Sequence, residues 1–152
     1  MFNNFTERAN HTVMLAEEEA RKLGHKNVGT GMLLLAVVVE GGAASRILDG
    51  FGVKAENVRE EVVLLMGKGA GSGRAELEFS ENAKDVFAFA TAEAAKRTIK
   101  DVAVPHILLG LLNGKDTVAT RVFDVMGIRL DDVKVKAFEE LDKVYGPRLA
   151  SG

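Results

Sequence analysis

Apolar side chains near the start of the chain recur at the three- and four-residue spacing of an α-helix. The stripe consists of Ala9, Val13, Ala16, Ala20 and Leu23. The charged residues at 7–8, 17–18 and 21–22 lie mostly off this stripe, so this stretch is predicted to form an amphipathic helix. Thr6 is the expected N-cap, because its hydroxyl can accept a hydrogen bond from a free amide of the first turn. Gly24 follows the stripe, as is typical of a helix C-terminus.

The second helix is predicted to begin at Thr30, again as N-cap, and to contain the apolar run at 32–39. This run has so few polar positions that we expect it to be buried on nearly all sides. Its three consecutive valines would also suit a strand. The matching run at 107–112 is not β-branched, however, and Pro105 precedes it at the expected first position of a helix. Both runs are therefore interpreted as helices.

A third and a fourth helix are predicted at about 43–51 and 55–66. The fourth should face inward with Val58, Val62 and Leu65. A glycine-rich segment at 67–73 follows and is interpreted as a flexible connector. Beyond it the pattern predicts four more helices, at about 80–96, 104–112, 117–126 and 131–144. The last residues, from Pro147, are expected to form a frayed tail.

The order of these helices reflects an internal repeat. Residues 5–9 read Phe-Thr-Glu-Arg-Ala, and residues 79–83 read Phe-Ser-Glu-Asn-Ala, 74 positions later. Two more pairs of segments match: 28–36 with 102–110 at the same offset, and 46–53 with 121–128 at an offset of 75. Three matching blocks in one order, with a single insertion, indicate that one helical unit has been duplicated. The fold is therefore predicted to be all-α, with about eight helices.

Composition limits the classes of function. The chain has 152 residues, of which 47% are apolar, a formal net charge of −2 and no cysteine. Without a basic stripe or an aromatic platform, we expect no nucleic-acid partner. The longest apolar run has eight residues, far short of the roughly 20 that cross a bilayer. No signal peptide is evident, so we expect a soluble chain with no membrane partner. The lack of cysteine excludes disulfides and thiol catalysis.

No catalytic, cofactor-binding or metal-binding arrangement is found in the sequence. The Gly-Lys pair at 67–68 is not followed by Ser or Thr, as a phosphate-binding loop requires. His11, His25 and His106 lack partners at metal-ligand spacing and are expected at the surface or at helix ends. The glutamates at 17–19 are expected to form a solvated helix face, because acid–base catalysis needs a cleft that raises one carboxyl pKa. We therefore expect no enzymatic activity and no cofactor.

The repeated segments carry a resemblance to a known family. The chain resembles the N-terminal domain of the Clp unfoldases of the ClpC and ClpA type, which is a pair of Clp repeats. In the first repeat the resemblance rests on residues 5–9, on Leu-Gly-His at 23–25 and on Val-Gly-Thr at 28–30. In the second it rests on Phe79 and on His-Ile-Leu-Leu-Gly-Leu-Leu at 106–112. It covers about residues 1–145.

This resemblance implies a fold of two four-helix repeats related by a pseudo-twofold axis. The first repeat is expected at 1–66, a glycine-rich linker at 67–78, the second repeat at 79–146 and a tail at 147–152. The resemblance also implies recognition rather than chemistry. In the family, the domain sits on an AAA+ ring and receives substrates and adaptor proteins, which the ring then unfolds into a proteolytic chamber.

The chain departs from the family at a motif, Gly-Thr-Glu-His, that occurs in both repeats. The first copy reads Gly-Thr-Gly-Met at 29–32 and the second Ala-Val-Pro-His at 103–106, so Gly31 and Pro105 replace the two glutamates. In Gram-positive relatives these acids recognise phosphoarginine, whose guanidinium group needs a carboxylate partner. We therefore expect that phosphoarginine is not a ligand of this chain.

In ClpC-type relatives, a hydrophobic groove near the starts of the first helices of the two repeats is used by small cyclic peptides. The matching positions are Phe2, Asn10, Val13, Phe79, Lys84 and Phe87. We expect these residues to bind a partner, since an exposed aromatic cluster can anchor one. The alternative is that Phe2, Phe5 and Phe79 only pack into the core between the repeats.

Two functions follow from the resemblance. In the first, the chain is the substrate- and adaptor-docking domain of a larger ClpC-like ATPase, which the strong match at 1–9 favours. In the second, it is a stand-alone accessory protein like the plastid ClpT proteins and binds the Clp protease core or its ATPase. The loss of both glutamates and the short tail ending at Gly152 favour the second. A bacterial cytoplasm and a plastid stroma are both expected locations.

Overall fold

The computed structural model describes residues 2–71 and 76–150 of the chain. Within these ranges it contains eight α-helices and two short strands. The helices are α1 (Glu7–Lys22), α2 (Thr30–Glu40), α3 (Ala43–Gly50), α4 (Ala55–Met66), α5 (Glu81–Ala94), α6 (Val104–Leu112), α7 (Val118–Val125) and α8 (Leu130–Tyr145). The strands β1 (Asn27–Val28) and β2 (Glu78–Phe79) pair in parallel. The predicted all-α fold, with α1–α4 as the first repeat and α5–α8 as the second, is confirmed.

The two repeats begin with the same local structure. Thr6 caps α1 and Ser80 caps α5, both with φ −64° and ψ 162°. Each hydroxyl accepts a hydrogen bond, at 3.1 Å, from the backbone amide three residues further on. The predicted N-cap at Thr6 is therefore confirmed, and the duplicated sequence pattern corresponds to a duplicated helix start.

Thr30 does not cap α2, contrary to the prediction. Gly29 is the N-cap, and Thr30 is a buried residue of the first helical turn. Its hydroxyl accepts a hydrogen bond from the Ala119 amide at 3.1 Å, across the two repeats. The reason is that α2 packs against the start of α7, whose first amides also need acceptors. Pro105 likewise stands at the second position of α6 rather than the first.

Helices α2 and α6 lie at the centre of the core, as their unbroken apolar runs predicted. The first eight residues of α2 and every residue of α6 are buried. In α4, Val58 and Val62 face the core as predicted. Leu65 does not, because it is 37% exposed. Met66 packs against the core instead, at the point where the helix ends.

Short parallel bridges join the repeats reciprocally. In one bridge Val28 of the first repeat pairs with Phe79 of the second, and in the other Phe5 pairs with Val102. The cap residue after each phenylalanine donates its amide to the carbonyl of the partner valine, at 2.9 and 3.0 Å. Phe5 and Phe79 are 74 residues apart, and so are the two valines. A pseudo-twofold axis therefore exchanges the two bridges, and we call this region the seam.

The described part of the glycine-rich segment is bonded to the end of α1. The amides of Gly69 and Gly71 donate to the carbonyls of Leu23 and Gly24, at 2.8 and 2.9 Å. A Cβ atom at Gly69 would lie only 2.1 Å from the Gly24 carbonyl oxygen, so a glycine is needed there. Residues 72–75 lie outside the described ranges. The flexibility of the connector and the boundaries at 67–78 remain predictions.

The described part of the tail, residues 147–150, is held against the second repeat and is not frayed. The Leu149 amide donates to the Lys96 carbonyl at 2.6 Å. The Arg148 guanidinium carbon lies 4.7 Å from the centroid of the Phe138 ring, a favourable cation–π arrangement. The first contact connects the segment after α8 to the end of α5, and the second connects it to α8 itself, at residues that sequence periodicity does not link.

Glu19, which was expected at the surface, and His106, which was expected at the surface or at a helix end, are both buried. Glu19 is 5% exposed, and Arg59 of α4 lies 3.3 Å from its carboxylate. The Glu19 side chain faces the gap between α1 and α4, where its charge pairs with Arg59 of α4. His106 is fully buried, and its Nδ1 accepts a hydrogen bond from the Ala103 amide at 2.9 Å. It therefore caps a helix start, as expected, but inside the protein.

Candidate partner-binding groove

Four phenylalanines meet where the first helices of the two repeats begin. The Phe2 ring stacks on Phe5 with centroids 4.6 Å apart, and lies 5.1 Å from Phe87 and 6.3 Å from Phe79. Phe79 and Phe87 meet edge to face at 5.1 Å. These are favourable distances for aromatic pairs. We call the four rings the phenylalanine cluster, and the bridges of the seam fix two of them, Phe5 and Phe79.

Burial divides the phenylalanine cluster into two parts. Phe5 and Phe87 are buried, whereas Phe2 and Phe79 are half-buried. Phe5 therefore packs into the core between the repeats, as the alternative interpretation expected. Phe2 and Phe79 also pack against the core, but each residue keeps part of its surface open to solvent. The surface that a partner would contact is the exposed part of these two rings.

Asn10 fixes the backbone at Phe2. The Phe2 amide donates to Asn10 Oδ1 at 3.1 Å, and Asn10 Nδ2 donates to the Phe2 carbonyl at 3.2 Å. The side-chain amide thus forms the reciprocal pair of bonds that a neighbouring strand would form. The Phe5 amide donates to the same carbonyl at 3.1 Å. Because Phe2 is held in place, a partner would lose little free energy in ordering it.

The two remaining predicted positions lie at different depths. Lys84 is exposed and stands three residues before Phe87 on α5, so the two lie on neighbouring turns of one face. Its ammonium group is 3.3 Å from the Glu81 carboxylate. Val13 is fully buried in α1 and has no surface to offer a partner. The structure thus brings Phe2, Phe79 and Phe87 into direct contact, with Asn10 behind Phe2.

The two positions where the family motif has glutamate cannot supply a free buried carboxylate here. A Cβ atom at Gly31 would lie 2.9 Å from a methyl group of Val118, so a longer side chain has no room. Pro105 borders a cavity of about 420 Å³. The buried carboxylate in that cavity belongs to Glu40, and the Arg8 guanidinium lies 2.6 Å from it. Its charge is therefore already balanced within the chain.

Residues 2–71 and 76–150 hold no group of three or more His, Asp or Glu side chains that could bind a metal ion. No single helix in the described part of the chain is long and apolar enough to cross a membrane. Helices α2 and α3 reach that length and apolarity only as a pair bent by 100°.

Sequence periodicity misses the bridges that position the phenylalanine cluster. Val28 and Val102 pair over one or two residues, too few to give an alternating pattern. The signal that points to them is the repeat itself, because Phe5 and Val28 recur together as Phe79 and Val102. The hydrogen bonds from Asn10 to Phe2 have no such signal, since only the fold brings the chain start back onto α1.

Two four-helix repeats, joined by reciprocal bridges and carrying aromatic rings at the seam, define a double helical-repeat domain. The sequence profile of the Clp repeat (R) N-terminal domain matches residues 4–124 and, in a second match, 78–149. The chain belongs to this family, and the resemblance seen in the sequence is confirmed.

The relatives of the chain are subunits of Clp proteases and chaperones. It is 37% identical over 142 residues to an ATP-dependent Clp protease ATP-binding subunit ClpA homolog of Guillardia theta. The aligned region covers 93% of this chain and 17% of that relative. It is 37% identical over 137 residues to the chloroplastic chaperone protein ClpC1 of Arabidopsis thaliana. That alignment covers 90% of this chain and 15% of the relative. The chain thus spans about a sixth of the length of these relatives and is similar to their N-terminal segments.

Solved structures agree with the fold. The N-terminal domain of the caseinolytic protease associated chaperone ClpD from Arabidopsis thaliana superposes with a TM-score of 0.79 at 28% identity, covering 93% of this chain and 99% of that one. The Hsp104 N-terminal domain from Candida albicans has a TM-score of 0.76 at 20% identity, covering 95% of each chain. The second likeness shows the shared fold alone.

Proposed function

We propose that the chain is a non-catalytic protein-binding domain of a ClpC-like ATPase, and that it docks substrates and adaptor proteins through the phenylalanine cluster. The observation that carries the proposal is the pair of half-buried rings, Phe2 and Phe79, on a backbone fixed by Asn10 and by the seam. Aromatic side chains that are ordered before binding make efficient anchors for a partner protein. The relatives, which are ATP-binding Clp subunits and chaperones, support this class of function.

The chemistry of the groove suits an apolar segment of a partner. The exposed parts of Phe2 and Phe79 offer apolar surface, and Lys84 with Glu81 adds a charged pair next to it. Charged groups at the edge of an interface set orientation more than affinity. We therefore expect the rings to dominate affinity, and Lys84 to contribute less.

A permanently unfolded protein tests this docking surface. Reduced, carboxymethylated and fluorescein-labelled α-lactalbumin is titrated with the chain, and binding is followed by fluorescence anisotropy. Phe2→Ala should weaken binding about tenfold, because it removes an anchor from the centre of the contact. Lys84→Ala should weaken it less. Urea unfolding of each variant must show an intact fold, so that lost binding is not lost structure.

Lys136→Ala is the matched control for Lys84→Ala. The Lys136 side chain is 59% exposed and pairs with a glutamate three residues along α8, and Lys84 is 60% exposed with an equivalent pair on α5. The control should bind like the original chain. If Phe2→Ala and Lys84→Ala both bind normally while folded, the phenylalanine cluster is not the docking surface.

The closed position at Gly31 and the balanced charge at Glu40 support the further proposal that phosphoarginine is not a ligand. The Arg8 guanidinium already pairs with Oε2 of Glu40, the buried carboxylate in the cavity beside Pro105. Calorimetric titration with a phosphoarginine peptide and with its unmodified counterpart should give comparable, weak binding. Selective tight binding of the phosphorylated peptide would refute this.

A second candidate is a stand-alone accessory protein that binds the Clp protease core or its ATPase. The lost glutamates at Gly31 and Pro105 favour it, because an accessory protein needs no site for marked substrates. Blotting the native source with an antibody against this chain separates the two. A band several times larger than 16.3 kDa supports the ATPase domain, and a band near that mass supports the accessory protein. Fractionation of the same source distinguishes a plastid stroma, as in the chloroplastic relatives, from a bacterial cytoplasm.

A further inference from the structure

Three buried polar atoms of the second repeat have no hydrogen-bond partner in the described part of the chain. They are Oε2 of Glu93, Nη1 of Arg97 and Nε2 of His106. The three residues are 3%, 0% and 0% exposed, so bulk solvent does not reach them. Buried polar atoms of folded proteins nearly always have a partner, which is either a protein group or an ordered water. Each of these atoms therefore requires a partner from outside the chain.

The three side chains lie close together at the end of α8. Arg97 Nε donates to the Gly146 carbonyl at 3.0 Å. The ring of Tyr145, the residue before Gly146, has its centroid 6.0 Å from that of His106. Glu93 precedes Arg97 by four residues, and the charges of both shift the pKa of His106, in opposite directions. We call these three side chains, Glu93, Arg97 and His106, the polar cluster.

The other polar atoms of the polar cluster are already bonded within the chain. Oε1 of Glu93 accepts a hydrogen bond from the lysine three residues later, at 2.8 Å. Arg97 Nη2 donates to Asp142 Oδ1 at 2.7 Å. His106 Nδ1 accepts the Ala103 amide at 2.9 Å, so the neutral imidazole carries its proton on Nε2. The atoms that remain are thus two donors, on Arg97 and His106, and one acceptor, on Glu93.

This set of atoms limits the kind of molecule that can bind between them. A metal ion is disfavoured, because Arg97 is positively charged and the proton on Nε2 prevents His106 from acting as a ligand. An anion is disfavoured by the negative charge of Glu93. A neutral molecule that accepts two hydrogen bonds and donates one satisfies all three atoms. Water is the smallest molecule that does so.

The first repeat has no equivalent set of atoms. The offset of 74 places Glu19, Leu23 and Met32 at the three positions of the polar cluster. Leu23 and Met32 are buried and apolar, and the Glu19 carboxylate lies 3.3 Å from Arg59 of α4. The second repeat has Lys134 in place of that arginine, at the offset of 75, and its ammonium group lies near an aspartate of α8 itself. The second repeat therefore has two additional buried polar side chains, and its buried glutamate has no basic partner from α8.

We propose that one internal water molecule binds between Glu93, Arg97 and His106 and completes a buried hydrogen-bond network in the second repeat. The water accepts hydrogen bonds from Arg97 Nη1 and His106 Nε2, and it donates one to Glu93 Oε2. Because Arg97 also bonds to the Gly146 carbonyl, the network connects the end of α5, the start of α6 and the chain after α8. The phenylalanine cluster takes no part in this network, so the docking function and the water site are tested independently.

A crystal structure of the unaltered chain, at a resolution that shows ordered waters, tests the geometry. One water should lie about 3 Å from each of the three atoms. A direct hydrogen bond between Arg97 Nη1 and Glu93 Oε2, with no water beside His106, would overturn the proposal.

A count of long-lived waters in solution is the second test. ¹⁷O magnetic relaxation dispersion is measured on the original chain and on His106→Met, which installs the residue of the first repeat. The variant should hold one long-lived water fewer, because methionine has no donor at the place of Nε2. Met32→Leu, at the equivalent position of the first repeat, is the control and should leave the count unchanged. An equal count in a folded His106→Met variant would overturn the proposal, and if this variant does not fold, the crystal structure decides.

Discussion

Replacing His106 by asparagine should remove a pH-dependent part of the stability of the protein. The imidazole is fully buried at the start of α6, and Nδ1 accepts the Ala103 amide. Burial lowers the pKa of His106 from 6.5 to about 4, with a further lowering by Arg97 and an opposing effect of Glu93. The neutral form is therefore the one that the fold requires, because a proton on Nδ1 would break the bond to Ala103.

The sign and size of the effect follow from this pKa. Between pH 6.5 and 4 the unfolded chain binds a proton at His106 and the folded chain does not, so the free energy of unfolding falls as the pH falls. Above pH 7 this contribution is fully present and constant. With pKa values of 6.5 and about 4, the loss between pH 7 and pH 5 is about 2 kcal/mol.

Asparagine keeps an acceptor at the place of Nδ1. The chain itself shows that this works, because Asn57 Oδ1 accepts the Lys54 amide at 2.9 Å in the same position of α4. His106→Asn should be less stable at pH 7, since a smaller side chain leaves a cavity. Its further loss between pH 7 and pH 5, however, should be about 2 kcal/mol smaller than that of the original chain. Urea unfolding followed by circular dichroism at several pH values measures both.

His11→Asn is the control, because His11 is exposed on α1 and should leave the pH dependence as it is. Two results would refute the reasoning. In the first, the original chain loses no stability between pH 7 and pH 5. In the second, His106→Asn loses as much as the original chain, which would mean that the lost stability comes from other groups.

Two further predictions concern the core and the seam, and both are measured by urea unfolding at pH 7. Leu34→Ala in α2 and Leu108→Ala in α6 should each cost about 2–5 kcal/mol, because both side chains are fully buried; a cost near zero would mean that these helices are misplaced. Thr30→Val should cost about 1–3 kcal/mol, because it leaves the buried Ala119 amide without its acceptor. Thr98→Val, at an exposed site, should cost almost nothing, and equal costs for the two variants would show that the bond across the repeats is not formed.

The helices could be predicted from the sequence because apolar spacing is a local property. The bounds of α4 and α6 agree with the predicted 55–66 and 104–112. Thr6 is the N-cap of α1, as predicted from its hydroxyl group. Burial of individual charged residues is not local. Among the three glutamates at 17–19, Glu19 is the buried one, and its partner Arg59 lies forty residues later in the chain, where sequence spacing does not point to it. Thr30, like Thr6, has a side chain that favours the N-cap position. Its hydroxyl instead accepts a hydrogen bond from the Ala119 amide in α7 of the other repeat.

The reciprocal bridges of the seam explain how both family motifs changed while the fold was kept. The hydrogen bonds of the two bridges run between backbone groups, so they place no demand on the side chains at the two altered motif positions. Gly31 has no side chain, which allows Val118 to approach α2 closely. Pro105 has no backbone amide, but it stands in the first turn of α6, where an amide would find no carbonyl acceptor within the helix. Each substitution suits the backbone that the seam fixes. We therefore expect the loss of the acids to change which ligands bind, while the architecture, and with it the phenylalanine cluster, stays in place.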